Sequence, residues 1–298
     1  MPQYNETTVT QAVVDSLRNC DDARFKQVMT SLVGHLHAFV KEVDLTEAEW
    51  SDAVAFLMQT GKKSTERRNE FILLSDTLGV SMLVVQLAQA HKSKTLAGAT
   101  AATEATVEGP FYWQGAPDVP LGANIAEGVP GEPAFYVGRV TDIEGRPLAG
   151  ALLDVWSGDG EGHYDVQLSN PPVMKARGRL RADDQGRYAF WSIKPTAYPI
   201  PDDSTTGTML RRMGRRNWRP GHLHVMVAAE GHVPLTTHLF VAGSEYLDTD
   251  AVFAVRSSLI VEFEKHPPGK ASDGRVMNTP YHVASYDFRL APARESTA

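Results

Sequence analysis

The chain has one cysteine in 298 residues, Cys20, which excludes an internal disulfide and any metal cluster built on several thiolates. It has no long basic run, and 29 Lys and Arg stand against 36 Asp and Glu for a net charge of −7. Nucleic acid and anionic membrane both select clustered cations, so neither is expected as a partner. Long apolar runs are missing too. Residues 78–90 are interrupted by Ser81, Gln86 and Gln89 and are too short to span a bilayer, so no membrane insertion is expected. The opening MPQYNETTVTQ shows no basic stretch followed by an apolar one, so no secretory leader is expected and a cytoplasmic location is. With 42% apolar and 22% charged residues, what remains is ordinary globular material. Any metal it holds must rely on His, Tyr, Asp or Glu.

Proline is scarce only at one end. Residues 1–105 contain Pro2 and four glycines, and the other 17 prolines and 20 glycines lie in 106–298. Proline breaks helices and both residues punctuate turns, so residues 1–105 read as a helical domain and 106–298 as a succession of short strands. Phe25, Val28, Met29, Leu32, Leu36, Phe39, Val40 and Val43 recur at helical steps, and Thr46 with Glu49 forms a capping box that opens a second helix. Residues 67–90 read as one longer helix, apolar on more than one side. Such a helix must be covered by its own subunit, a second subunit or an apolar ligand. In the second part, three hairpins are predicted: 135–142 with 151–156, 177–182 with 187–193, and 222–229 with 235–241. The expected fold is therefore mainly β, an antiparallel β-sandwich preceded by an α-helical N-terminal domain.

Along the strand His222-Leu223-His224, alternate side chains share a face, so the two imidazoles point the same way about 7 Å apart. Such pairs also occur as ordinary half-exposed strand residues, and alone they establish nothing. Arg219-Pro220 lies just upstream. Tyr164 follows a glycine-rich loop, and Tyr198 sits in a loop stiffened by Pro195, Pro199 and Pro201. Each tyrosine could equally be a half-buried ring with a bonded hydroxyl.

The segments VEGPFYWQGAP, LLDVWSGDGEGHYDVQ, RGRLRADDQGRYAFWSIKPTAYPIP and WRPGHLH, in this order, resemble the intradiol ring-cleaving dioxygenases of the catechol and hydroxyquinol branch. The likeness extends through RNEFILLSDTLGVSMLV in the helical part. It implies a mononuclear non-haem Fe(III) held by Tyr164, Tyr198, His222 and His224, with hydroxide in a fifth place. Phenolates are hard anionic donors that suit ferric iron, and no organic cofactor is required. The resemblance makes Tyr198 a catalytic residue, displaced as the diol binds. Arg219 becomes the cation that stabilises charge on the substrate ring. It further implies a homodimer assembled through the N-terminal helices, with room for a bound phospholipid. A transthyretin-like binding module without metal is disfavoured by the intact donor set. An extradiol enzyme is disfavoured by the tyrosines.

The resemblance implies a catecholic substrate cleaved with O2. Plain catechol enzymes carry glutamine in an L-T-T-Q motif, where this chain has Leu235-Thr236-Thr237-His238. That histidine, YLDTDAVF and the closing YDFRLAP resemble the hydroxyquinol 1,2-dioxygenases, with products 3-hydroxy-cis,cis-muconate and maleylacetate. The alternative is a catechol or chlorocatechol 1,2-dioxygenase giving cis,cis-muconates. Asp76, one turn beyond Leu73, is the candidate partner for a third hydroxyl. By resemblance, Leu73, Asp76, Val107, Glu108, Gly109, Pro110, Phe111, Ile200, Pro201, Arg219 and Val252 line the pocket. Glu108 is unusual before Gly-Pro-Phe, and it either points to solvent or favours polar or cationic rings. His238 is expected behind the ligands as a hydrogen-bond partner, since the fifth position belongs to substrate. His35, His37, His91, His232, His266 and His282 read as structural or exposed.

Overall fold

A computed structural model describes residues 4–65, 68–95, 102–168 and 173–293. The chain forms two compact units, Met1–Gln59 and Thr60–Ala298. Helices α1 (Val9–Ser16) and α2 (Ala23–Glu42) lie in the first, with α3 (Glu47–Lys63) crossing its end. The Asp22 side chain accepts from the Phe25 N–H at the start of α2. The capping box before α3 forms as expected: Glu49 N–H donates to Thr46 Oγ1 at 3.2 Å, and Thr46 N–H to Glu49 Oε2 at 3.0 Å. The apolar stripe of α2 at Phe25, Val28, Leu32, Leu36, Phe39 and Val40 is exposed.

The predicted long helix is two. Helix α4 (Glu70–Thr77), capped by Asn69, and α5 (Val80–Thr95) meet at a 72° bend. Gly79 takes φ +74° and its N–H donates to Asp76 O at 3.0 Å, a left-handed helix end for which glycine is suited. The bend turns Leu73, Leu74 and Met82 inward while Phe71, Ile72, Leu83, Val84 and Leu87 stay exposed. Arg67, where that helix was expected to begin, and the His91 side chain lie outside the described residues. No single described helix is long and apolar enough to cross a membrane.

Two five-stranded sheets follow. In the first, β1 (Pro133–Asp142) pairs along one edge with β13 (Tyr281–Ser285) and β14 (Phe288–Leu290), and along the other with β4 (Arg187–Ile193); β10 (Phe263–His266) flanks β13. The second runs β3 (Arg177–Arg181), β2 (Leu152–Trp156), β7 (His222–Ala228), β8 (Leu235–Val241), β9 (Ile260–Val261). Small ribbons join β5 (Tyr198–Pro199) to β6 (Trp218–Arg219) and β11 (Gly269–Lys270) to β12 (Val276–Met277). Short helices α6 (Asp165–Leu168) and α7 (Thr205–Arg212) interrupt the strands. The sheets are mixed where antiparallel ones were expected: β1 runs parallel to β13 and β14, and β8 to β9.

Of the three predicted hairpins only the last exists, β7 with β8. The chain between β1 and β2 passes from one sheet to the other, as it does between β3 and β4. Turn residues mark where a strand ends, and both a hairpin and a crossing between sheets satisfy them. Between the sheets, Tyr136, Val140 and Phe190 pack against Leu153, Val155, Leu223, Val225, Val227 and Leu239. Leu153 is fully buried there, so Leu153→Ala should cost about 2–5 kcal/mol, read as a lowered midpoint in denaturant unfolding.

Candidate metal centre and active site

Strand β7 has two faces of different character. Leu223, Val225 and Val227 enter the core between the sheets, which leaves His222 and His224 on the opposite face of the second sheet. Across the ladder His224 is level with Trp156 on β2 and His238 on β8, and His222 is level with Phe240. Trp156 stacks on His224 at 4.7 Å and 13°, so that ring is held between two neighbours. All three histidines are buried, with ring nitrogens within 4.8 Å of one another, a cluster fit to hold a metal ion.

The β5–β6 ribbon pairs Tyr198 with Arg219 and leads through Pro220 into β7. The loop before Tyr164 is tied by Asp159, whose carboxylate accepts from the Glu161 and His163 N–H groups at 2.9 Å each. A Cβ on Gly162 would lie 2.6 Å from Tyr198 Cβ, so only glycine lets the two tyrosine loops approach this closely. Beyond it, Asp165 and Arg177 form a buried ion pair, and Arg177 Nη2 donates to Phe111 O at 3.2 Å. Phe111 stacks on Tyr164 at 4.6 Å.

These elements bring four ring donors together. Tyr164 Oη lies 2.8 Å from His224 Nε2 and 3.5 Å from Tyr198 Oη, and His222 Nε2 is 3.2 Å from His224 Nε2. Donors sharing a metal at ~2 Å and near-right angles sit about 3 Å apart, so these spacings suit one ion. The far nitrogens agree. His222 Nδ1 donates to Pro220 O at 2.7 Å, which leaves the Nε2 lone pair facing the cluster, where Arg219 Nη1 approaches to 3.1 Å. Burial holds the His222 imidazole well below its usual pKa, with Arg219 adding to the effect, and burial does the same to His224. Neutral imidazole is the form that ligates a metal. Burial also pushes the Tyr164 phenol well above its ordinary range, so a cation must sit beside it for the oxygen to ionise near neutrality.

Arg219 is buried, and its own desolvation opposes its charge; Asp250 outweighs that, through Nε to Oδ1 at 2.9 Å and Nη2 to Oδ2 at 3.3 Å. Asp250 in turn accepts from the Ala254 N–H at 3.0 Å. Several of the residues expected to line the pocket pack near the donors. Leu73, Phe111 and Ile200 pack with Tyr164 and Tyr198, and Val107 and Val252 pack with Phe240. A Cβ on Gly109 would stand 3.1 Å from His224 Cε1. Pro110 and Pro201 are half-buried on adjoining backbone, and the Glu108 side chain is exposed. Partial burial raises the Glu108 carboxyl. Asp76 is buried with Oδ1 lacking any partner, and burial raises its carboxyl against a Ser81 hydrogen bond and the Arg219 charge. His238 bonds the far side of His224. Of the remaining histidines, His35 is exposed, His37, His232 and His266 are half-buried, and His282 is buried between Phe263 O and Glu132.

Asp250, Thr106 and Trp156 were not singled out from the sequence. Asp250 stands inside YLDTDAVF, but nothing in that string tells which of its two aspartates meets Arg219.

A family model described as "Dioxygenase" matches residues 107–292, and one described as "Catechol dioxygenase N terminus" matches 22–95. The 6-chlorohydroxyquinol 1,2-dioxygenase of Cupriavidus pinatubonensis is 47% identical over 269 residues, 90% of this chain and 95% of that protein. The hydroxyquinol 1,2-dioxygenase of Nocardioides simplex is 45% identical over 293 residues, 98% and 97% respectively. The crystal structure of hydroxyquinol 1,2-dioxygenase from Pseudomonas putida superposes with a TM-score of 0.85 at 45% identity, covering 97% of this chain and 99% of that one. With relatives this similar along nearly its whole length, and a buried histidine cluster fit for a metal on the outer face of one sheet, the chain belongs to the intradiol ring-cleaving dioxygenases.

Proposed function

We propose that this chain cleaves hydroxyquinol with O2 between its two adjacent hydroxyl-bearing carbons, as a cytoplasmic enzyme of aromatic catabolism. The product is 3-hydroxy-cis,cis-muconate, the tautomer of maleylacetate. The observation that carries the substrate is Asp76: a buried carboxylate oxygen without a partner, on the helix whose Leu73 packs against Tyr164 and Tyr198. A third ring hydroxyl supplies what that oxygen lacks, and a ring without one leaves it unpaired.

The donors that would hold the metal are Tyr164, Tyr198, His222 and His224, and their chemistry favours Fe(III). Two phenolates and a hydroxide balance a 3+ charge with no carboxylate needed, whereas ferrous oxygenases typically use two histidines and a carboxylate. Bound there, ferric iron supplies the Lewis acidity that makes a chelated diolate ring reactive towards O2. Tyr198, ionised beside such an ion, would be the base that accepts one proton of the incoming diol. Arg219, kept charged by Asp250, faces the ring and stabilises negative charge developing on it. Leu73, Phe111, Ile200, Val107 and Val252 exclude water and fix the ring plane, with Gly109, Pro110 and Pro201 as close backbone walls. Glu108 is exposed at the edge of this wall and points to solvent, the first of the two expectations for it.

The assembly we propose is a homodimer through the helical region. The exposed apolar stripe of α2 and the exposed Leu83, Val84 and Leu87 of α5 are the kind of surface a stable interface of roughly 1,500 Å² or more covers. The α5 face also suits the acyl chains of a phospholipid.

His222→Ala should lose its iron, the phenolate-to-iron colour and O2 uptake together. Tyr198→Phe should keep a weakened, shifted band with activity down at least ~100-fold. Full iron content and full O2 uptake in both variants would remove the metal site. Wild type should prefer hydroxyquinol over catechol by about tenfold or more in kcat/KM, and Asp76→Leu should bring the ratio close to one. An unchanged ratio removes the substrate assignment and leaves the iron site standing. Sedimentation equilibrium should give a dimer for wild type and a monomer for Leu36→Glu, and organic extraction followed by mass spectrometry should recover phospholipid.

A further inference from the structure

His238 is fully buried on β8, and each of its ring nitrogens has a partner: Nε2 lies 2.9 Å from His224 Nδ1, and Nδ1 lies 2.8 Å from Thr106 Oγ1. Thr106 is itself buried and tied to β8, its N–H donating to Thr236 O at 2.9 Å. The donor directions along this chain follow from what each atom can do. His224 Nε2 faces Tyr164 Oη at 2.8 Å and His222 Nε2 at 3.2 Å, so that nitrogen belongs to the donor cluster, and His238 meets the ring from the Nδ1 side. The proton of neutral His224 therefore belongs on Nδ1, with the Nε2 lone pair left for the donor cluster. His238 Nε2 must then accept, its own proton sits on Nδ1, and that N–H donates to Thr106 Oγ1.

We infer that His238 is a positioning residue that holds His224 in its metal-binding tautomer, with Thr106 Oγ1 as the acceptor that holds His238 in turn. The inference rests on the reading above that His224 meets the metal through Nε2. His238 thus acts on the metal only through His224. With both nitrogens already partnered, it is the member of the three-histidine cluster that does not ligate, although its ring lies 4.6 Å from that of His222. The neutral state the relay requires agrees with burial, which holds the His238 imidazole well below its usual pKa. A partner that orients a ligating histidine ordinarily contributes 10–100-fold in metal affinity.

The test uses the iron-loaded full chain and four proteins: wild type, His238→Gln, His238→Leu and Thr106→Val. Iron loss to a ferric chelator is followed by the decay of the phenolate-to-iron absorption, and the band position is recorded beforehand. The glutamine amide oxygen can still accept from His224 Nδ1–H, so His238→Gln should lose iron within about threefold of the wild-type rate. His238→Leu accepts nothing and should lose iron roughly 10–100-fold faster, with a shifted band. Thr106→Val leaves His238 free to turn its proton towards His224 and should fall between the two. If His238→Leu does not fold, the contrast between Thr106→Val and His238→Gln carries the same decision. Wild-type iron retention and band position in both His238→Leu and Thr106→Val would overturn the inference. So would a His238→Gln protein as poor as His238→Leu, which would make His238 itself a ligand. A wild-type chain that takes up no ferric iron would instead defeat the metal reading, a result visible before any variant is made.

Discussion

Everything at the centre of this protein follows from lone pairs that face one another. His222 donates its one N–H to Pro220 O and His224 meets His238 through Nδ1, so the two Nε2 atoms converge at 3.2 Å with lone pairs inward. Two phenol oxygens close the same space, and all four groups are buried. The Tyr164 hydroxyl reaches one imidazole at 2.8 Å and the Arg219 guanidinium reaches the other at 3.1 Å. Such a convergence in a dry interior is costly unless something positive occupies it. The fold secures it with stiff parts: a sheet ladder under the histidines, a proline-rich ribbon under Tyr198, and a buried ion pair beside Tyr164.

Two buried cations beside the centre are paired, and Asp76 is not. Arg219 is deep enough that its cation would be unfavourable alone, and Asp250 neutralises it from the side away from His222. Asp165 does the same for Arg177 behind Phe111. Asp76 is the exception, buried with one oxygen unanswered, and it stands on the same helix turn as a pocket wall. A buried carboxylate oxygen left open beside the donors is where a ligand group is to be expected, because binding repairs a loss that folding left.

Much of this was legible from residue order, though unevenly. The capping box at Thr46 and Glu49 and the apolar stripe of α2 are local signals, and both formed as read. The β7–β8 hairpin also formed, because Glu230-Gly231 closes two strands that share a sheet. The same grammar misled at 143–151 and 182–187, where the chain changes sheet across turns that look alike in sequence. The apolar stretch from Phe71 to Leu87 gave no periodic sign of its break, since greasy residues on several faces hide a change of direction. Gly79 was its only mark.

The sequence by itself settled which chemistry-bearing residues exist, which of them alternate onto one strand face, and, through its motifs, which family they resemble. Those are properties of spacing and residue type. Only the tertiary structure decided that Asp250 rather than its neighbours meets Arg219, that Asp76 is left unpaired, and that of the two ligand-strand histidines it is His224 that His238 bonds, with Thr106 at its back. Each of these depends on strand register and on loops distant in sequence arriving at one place, and hydrogen-bond partners over 30 to 130 residues apart leave no periodic trace in the chain.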